Sequence, residues 1–172
     1  MQILIQNAGV APVEAFTLLG ASNKAGTDAI GQFGSGTKLG TLALLRMGLE
    51  PTIYCGTLRL QFQTKPIMFD GAEHRKVVVK LSGKDASGRS VHRTEDLSVV
   101  LNYGRLDWTD PKLAIREYIS NALDAVGGNI SGGSVTTVAD TAIRASADHT
   151  RIYVPYTEAT ADIVDNLSKW FL

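Results

Sequence analysis

Hydrophobic and polar positions alternate between two periods along this chain. Gln2-Ile-Leu-Ile-Gln6 is a short apolar run between polar residues and predicts a buried strand that ends at Asn7-Ala-Gly9. Pro12 suits the first position of a helix continued by Val13 to Leu19. Gly20 through Gly36 is dense in Gly, Ser, Asn and Thr and predicts a long loop. Leu39, Leu42, Ala43 and Met47 then recur at helical spacing, so Lys38 to Met47 reads as a helix with Gly48 at its C-terminal end. The middle of the chain changes period. Thr52–Tyr54, Leu58–Gln63, Lys76–Leu81 and Leu97–Asn102 carry the β-branched and alternating patterns of strands, with Ser82 to Arg89 as a polar turn. Thr109 or Asp110 caps a further helix, Pro111 opens it, and it runs to about Val126 before Gly127-Gly128. Ser134–Val138 and Arg151–Tyr156 are later strands. Glu158–Phe171 is an amphipathic terminal helix with Ile163 and Leu167 on one side.

Strands and helices mix without a regular β-α-β rhythm. The expected fold class is therefore α+β: a two-layer α/β sandwich, with a mixed, mostly antiparallel sheet covered by helices on one face. At 172 residues the chain is expected to form a single domain over 1–172, large enough to bury a core without staples. Seventeen Lys and Arg balance seventeen Asp and Glu, so there is no cationic surplus for coating a nucleic acid. Cys55 is the single cysteine, which excludes an internal disulfide and a cysteine-rich zinc site and fits a reducing compartment. The start of the chain lacks a signal-peptide pattern. Runs such as Leu42–Leu45 and Val77–Val79 are too short to cross a bilayer, so a cytoplasmic protein is expected.

Two stretches carry candidate chemistry. Gly31-Gln-Phe-Gly34-Ser-Gly36-Thr-Lys38-Leu-Gly40 brings closely spaced glycines to the start of a helix, where bare backbone N–H groups and the positive helix end suit an anion. It is not a Walker A loop, because Thr37 precedes Lys38 where that motif requires Lys and then Ser or Thr. In the later helix, Glu117 and Asn121 are one turn apart and Asp124 follows three residues on, so three polar groups gather beside an apolar face. Taken alone, that stripe also fits a solvated helix face. A carboxylate and an amide so placed can orient water and complete a Mg²⁺ shell.

Together these segments resemble the GHKL ATPases, the superfamily with the Bergerat fold that includes Hsp90, the ATPase component of DNA gyrase, MutL and sensor histidine kinases. Glu117-x-x-x-Asn121-Ala-x-Asp124-Ala resembles the N-box helix, and Ile30-Gly-Gln-Phe-Gly-Ser-Gly36 the second glycine box in its Hsp90 form. Leu19-Gly-Ala-Ser22-Asn-Lys24 resembles the Ser/Thr-Lys segment of the ATP lid. Leu4-Ile-Gln-Asn7-Ala-Gly9 resembles the first glycine box, and His149-Thr150-Arg-Ile-Tyr-Val the late strand whose threonine lies beside adenine. The glycine boxes thus occupy 4–40, a β-rich middle without motifs 50–105, the N-box helix 110–126, and the late strand and terminal helix 150–172.

The order departs from the family's, because the N-box follows the glycine boxes by about eighty residues, as in a circular permutation. Asn7 stands where the family carries an adenine-reading Asp, and Ala11 where a second glycine is usual. The resemblance implies ATP and Mg²⁺ as ligands. Glu117 would be the general base, and Asn121 the Mg²⁺ ligand. Asp124 would support the adenine side or the helix packing. Asn7 and Thr150 would read adenine, beside Gly9. Gly31, Gly34, Gly36 and Lys38, with Gln32, Phe33, Ser35 and Thr37 in the same loop, would hold phosphates, and Ser22 and Lys24 would belong to the lid. It implies a slow, Mg-dependent ATPase in which nucleotide drives a conformational or dimerisation switch, with a second copy or a client protein as partner and no nucleic acid or membrane. The alternatives are an ATP-sensing module without turnover, and an interaction protein whose motifs are relics. Weaker signals lie elsewhere in the chain. Gln63-Thr-Lys65 reads as a strand end with a slight echo of a phosphate-binding lysine loop, Arg75-Lys76 as a solvated strand edge, and the three histidines as scattered.

Overall fold

The computed structural model describes residues 1–18, 36–128 and 133–171. The described residues form seven strands: β1 (Gln2–Ala8), β2 (Thr52–Cys55), β3 (Leu58–Phe69), β4 (Ala72–Lys84), β5 (Ser90–Val100), β6 (Gly133–Val138) and β7 (His149–Pro155). The helices are α1 (Glu14–Thr17), α2 (Gly36–Arg46), α3 (Pro111–Ala125), α4 (Glu158–Asp165) and α5 (Leu167–Phe171). One open sheet runs β5-β4-β3-β2-β7-β1-β6, and every pairing between these strands is antiparallel. The class is α+β. One sheet face carries the alternate residues Ile3, Ile5, Ile53, Leu60, Val79 and Val154, and these pack in one core with Leu42 and Leu44 of α2, Ile115 and Tyr118 of α3 and Ile163 of α4. On the opposite face Tyr153 is held differently. Its hydroxyl donates to the Arg144 carbonyl at 3.0 Å, and its ring meets Tyr54 edge-on.

Several expected boundaries move, each for a local reason. β1 does not stop before Asn7 but continues through Ala8, because both β6 and β7 pair with it. Pro12 lies ahead of α1, which is one turn long from Glu14. β3 and β4 extend past their apolar cores into a hairpin closed at Asp70-Gly71, whose φ values of 49° and 75° are those of a tight hairpin turn. Pro66 would break an interior strand. It is tolerated because β2 pairs only with Leu58–Gln61, and among the described residues no strand covers that edge of β3 farther on. Gln63-Thr-Lys65 is therefore mid-strand, paired with Lys76 to Val78, not a strand end.

Arg75-Lys76 is likewise not an edge: β4 lies between β3 and β5, Arg75 donates to Thr64, and Lys76 pairs with Asp96. β5 begins at Ser90, seven residues ahead of the expected Leu97, because its first half is a polar strand at the sheet edge where no apolar alternation is needed. The terminal helix is broken at Asn166, whose φ of −125° leaves the helical range and whose Nδ2 donates to the Asp162 carbonyl at 3.3 Å alongside its own N–H.

Candidate functional site

α3 starts where expected. The Asp110 carboxylate accepts from the Lys112 N–H at 2.9 Å, and Pro111 needs no partner at the first position. One stripe of α3 is buried against the sheet. The next stripe faces α2, and the two helices run antiparallel along a seam of four rungs. At the first rung, Gly36 lies under Glu117: a Cβ there would stand 2.8 Å from Glu117 Cδ. Next, Asn121 Nδ2 donates to Thr37 Oγ1 at 2.7 Å. Farther along, Gly40 meets Ala114, where an added Cβ would come within 3.0 Å of Ala114 Cα, so glycine sets how closely the helices approach. Last, Thr41 Oγ1 and Tyr118 Oη are 2.6 Å apart. The Thr41 hydroxyl has one proton to give and its oxygen lies 2.8 Å from the Thr37 carbonyl oxygen, so Tyr118 donates to Thr41 and Thr41 donates to Thr37. Burial pushes the Tyr118 phenol well above its usual range and keeps it a donor.

This seam brings three sequence-predicted groups together: Glu117, Asn121 and the Gly36–Thr37 start of α2. Asp124 is half-buried one turn beyond Asn121. The glycine stretch read from the sequence ends at Gly40 but gave that residue no role of its own, and sequence reading did not single out Thr41, Ala114 and Tyr118. The signal was present as spacing: Gly40 and Thr41 lie four residues after Gly36 and Thr37, and Ala114 and Tyr118 three before Glu117 and Asn121, on the same stripes.

A second cluster forms at the ends of β1 and β7. Asn7 and Thr150 are register partners, and both project to the helix-covered face, in line with Ile5 and Ile152. Thr150 Oγ1 donates to the Gly9 carbonyl at 2.9 Å and accepts from the Ala11 N–H at 2.8 Å. Gly9 has φ of 92°, a conformation that favours glycine, and its N–H donates to the Asp148 carbonyl. One hydroxyl thus pins the turn that leaves β1. Asn7 is 7% exposed, and its Nδ2 donates to the Ala8 carbonyl at 2.8 Å. α3 packs on β1, so the strand bearing Asn7 and the helix bearing Asn121 are neighbours. Thr150→Val is expected to cost about 1–3 kcal/mol of stability by stranding the Ala11 N–H, as read from urea unfolding. An unchanged midpoint would show that water or a rearranged turn replaces the hydroxyl.

Compared with known proteins, the chain matches no family model, no curated protein and no solved structure.

Of the remaining expected site residues, Lys38 lines a mainly apolar cleft with Phe16, Phe62, Val77 and Leu97, and burial lowers its ammonium pKa. Ser22, Lys24, Gly31, Gln32, Phe33, Gly34 and Ser35, and the expected lid at 20–30, lie outside the described residues. Cys55 is buried, and desolvation pushes its thiol up to about 12, so no nucleophilic thiolate is present at neutral pH. Among the described residues no three His, Cys, Asp or Glu side chains cluster to hold a metal by themselves. A magnesium ion at Asn121 would use an amide oxygen and complete its shell with phosphate and water oxygens, as that ion commonly does.

Proposed function

We propose that this chain is an ATP-binding domain of the GHKL type with a permuted Bergerat fold, binding Mg-ATP between the start of α2 and the seam face of α3 and hydrolysing it slowly. The Asn121–Thr37 hydrogen bond carries the reading. It joins the helix that resembles the N-box to the helix that follows the glycine loop, across a separation of 84 residues. The permuted order is compatible with the sheet, because β1 lies between β6 and β7, two strands from the far end of the chain.

In this reading the N-terminus of α2 turns its backbone N–H groups and its positive dipole end to the phosphates. Asn121 would hold magnesium, which when bound would supply positive charge against the phosphates. Glu117, already beside the α2 start, orients the attacking water and accepts its proton. Asn7 accepts from the adenine amino group without charge, next to Thr150. Nucleotide occupancy acts as the switch for pairing with a second copy or engaging a client protein.

The uncharged Asn7 favours one second reading, an ATP sensor without turnover. Calorimetry and phosphate release measured side by side separate the two. A ligand at 100 times its Kd stabilises the native state by about 2.7 kcal/mol. For a chain of this size that raises Tm by roughly 5–10 °C. Binding without phosphate release selects the sensor. No rise in Tm with ATP and Mg²⁺ at millimolar concentration defeats both.

A further inference from the structure

β5 ends the sheet, and among the described residues no strand pairs with its outer side. It pairs regularly with β4 from Ser90 to Asp96, after which a register shift and Ser98 at φ of 53° interrupt the ladder. Long edge strands are commonly blunted by proline, bulges or charge; Ser90 to Asp96 carries no proline and pairs with β4 without a bulge, and its charges are of both signs. Its order is self-complementary about Thr94. Arg93 and Glu95 flank it, then His92 and Asp96, then Val91 and Leu97.

We infer that β5 is a homodimerisation edge. Two copies pair antiparallel along Val91–Leu97 about a two-fold axis at Thr94, joining their sheets into one. A two-fold axis perpendicular to a sheet returns each face to itself, so residues that meet must project on the same face. Centring on Thr94 meets this condition with matching chemistry. Arg93 and Glu95 share the helix-side face, being paired with Leu81 and Val79, while His92, Thr94 and Asp96 share the other. Arg93 then faces Glu95 of the second copy, His92 faces Asp96, and Val91 faces Leu97. Centring on Arg93 or Glu95 opposes like charges, and centring on His92 or Asp96 opposes identical side chains and sets Arg93 or Glu95 against an apolar residue.

Within one chain Arg93 already pairs with Glu95 at 2.7 Å, and their side chains are 61% and 35% exposed, so the dimer would interleave four alternating charges. Such exposed pairs set register more than affinity. One strand edge also buries less than the roughly 800 Å² per partner of a stable interface. The dimer is therefore weak and concentration-dependent; because β5 lies at the far end of the sheet from β7 and β1, it is separate from any nucleotide-switched pairing and forms without nucleotide.

Sedimentation equilibrium from low micromolar to near-millimolar protein, without ATP, tests it. The parent chain should dimerise as concentration rises. Arg93→Glu and Glu95→Arg each oppose two pairs of like charges and should associate about tenfold more weakly or worse, with unchanged melting curves. An equimolar mixture of the two variants should regain the parent's affinity, because the acidic edge of one meets the basic edge of the other. The chain carrying both substitutions should self-associate like the parent. A parent monomeric throughout, single variants that dimerise normally, a mixture that stays monomeric, or a dimer that forms only with ATP and ignores both substitutions would each overturn the inference.

Discussion

Glu117→Ala is expected to leave Mg-ATP affinity within a few-fold of the parent chain while phosphate release falls by about 10²–10⁴-fold. That is the size of loss that follows removal of a positioned general base. Asn121→Ala should do the opposite first: weaken Mg-ATP binding itself, because the amide that would hold the metal is gone, along with its bond to Thr37. Gly36→Ala supplies a third arm. Its Cβ overlaps the Glu117 carboxylate, the far end of a flexible side chain, so the carboxylate moves and the fold does not. It should lower turnover toward the Glu117→Ala level with little change in unfolding midpoint. Calorimetry with a phosphate-release assay reads all three. Equal loss of binding and turnover in Glu117→Ala and Asn121→Ala would mean that α3 is not the catalytic helix, whatever else the chain binds.

Tyr118→Ala is expected to destabilise the chain by about 3–5 kcal/mol, the usual cost of deleting a large buried aromatic side chain. Tyr118 is 0% exposed and lies where α2, α3 and the sheet share one core. Tyr118→Phe should cost only about 0.5–1.5 kcal/mol. It removes one hydrogen bond and leaves Thr41 still bonded to the Thr37 carbonyl. Urea unfolding of both variants separates ring volume from hydroxyl. If the phenylalanine variant proved as unstable as the alanine variant, the hydrogen-bond chain Tyr118–Thr41–Thr37, rather than packing, would hold the seam. Nucleotide affinity in the phenylalanine variant would then fall as well, because the start of α2 would lose its registration against Asn121.

The legible parts of this chain are those whose information is local. Asp110-Pro111 followed by apolar residues at helical spacing specifies the start of α3 without reference to anything distant. The run Ile3-Leu-Ile5 specifies a buried strand in the same way. The outer half of β5 was not legible, because an edge strand takes its order from β4 and needs no alternating apolar residues. The β3–β4 hairpin was obscured by Pro66, although Asp70-Gly71 announced the turn. Of the candidate site, the residue types were readable locally, and only the family resemblance brought the Asn121 helix to the glycine stretch and Asn7 to Thr150; nothing in the local pattern near Thr37 names Asn121, 84 residues on, as its hydrogen-bond partner.

The sequence by itself determined which segments could become helix or strand, that the chemistry available is carboxylate, amide and glycine backbone, and that no charge surplus drives binding. The tertiary structure alone decided which of these meet. Side chains far apart in sequence become neighbours only when burial of the shared core makes up for the entropy lost in closing the intervening loop, and the size of that core is a property of the whole sheet and helix layer. The four-rung seam between α2 and α3, and the pairing of Asn7 with Thr150, exist for that reason.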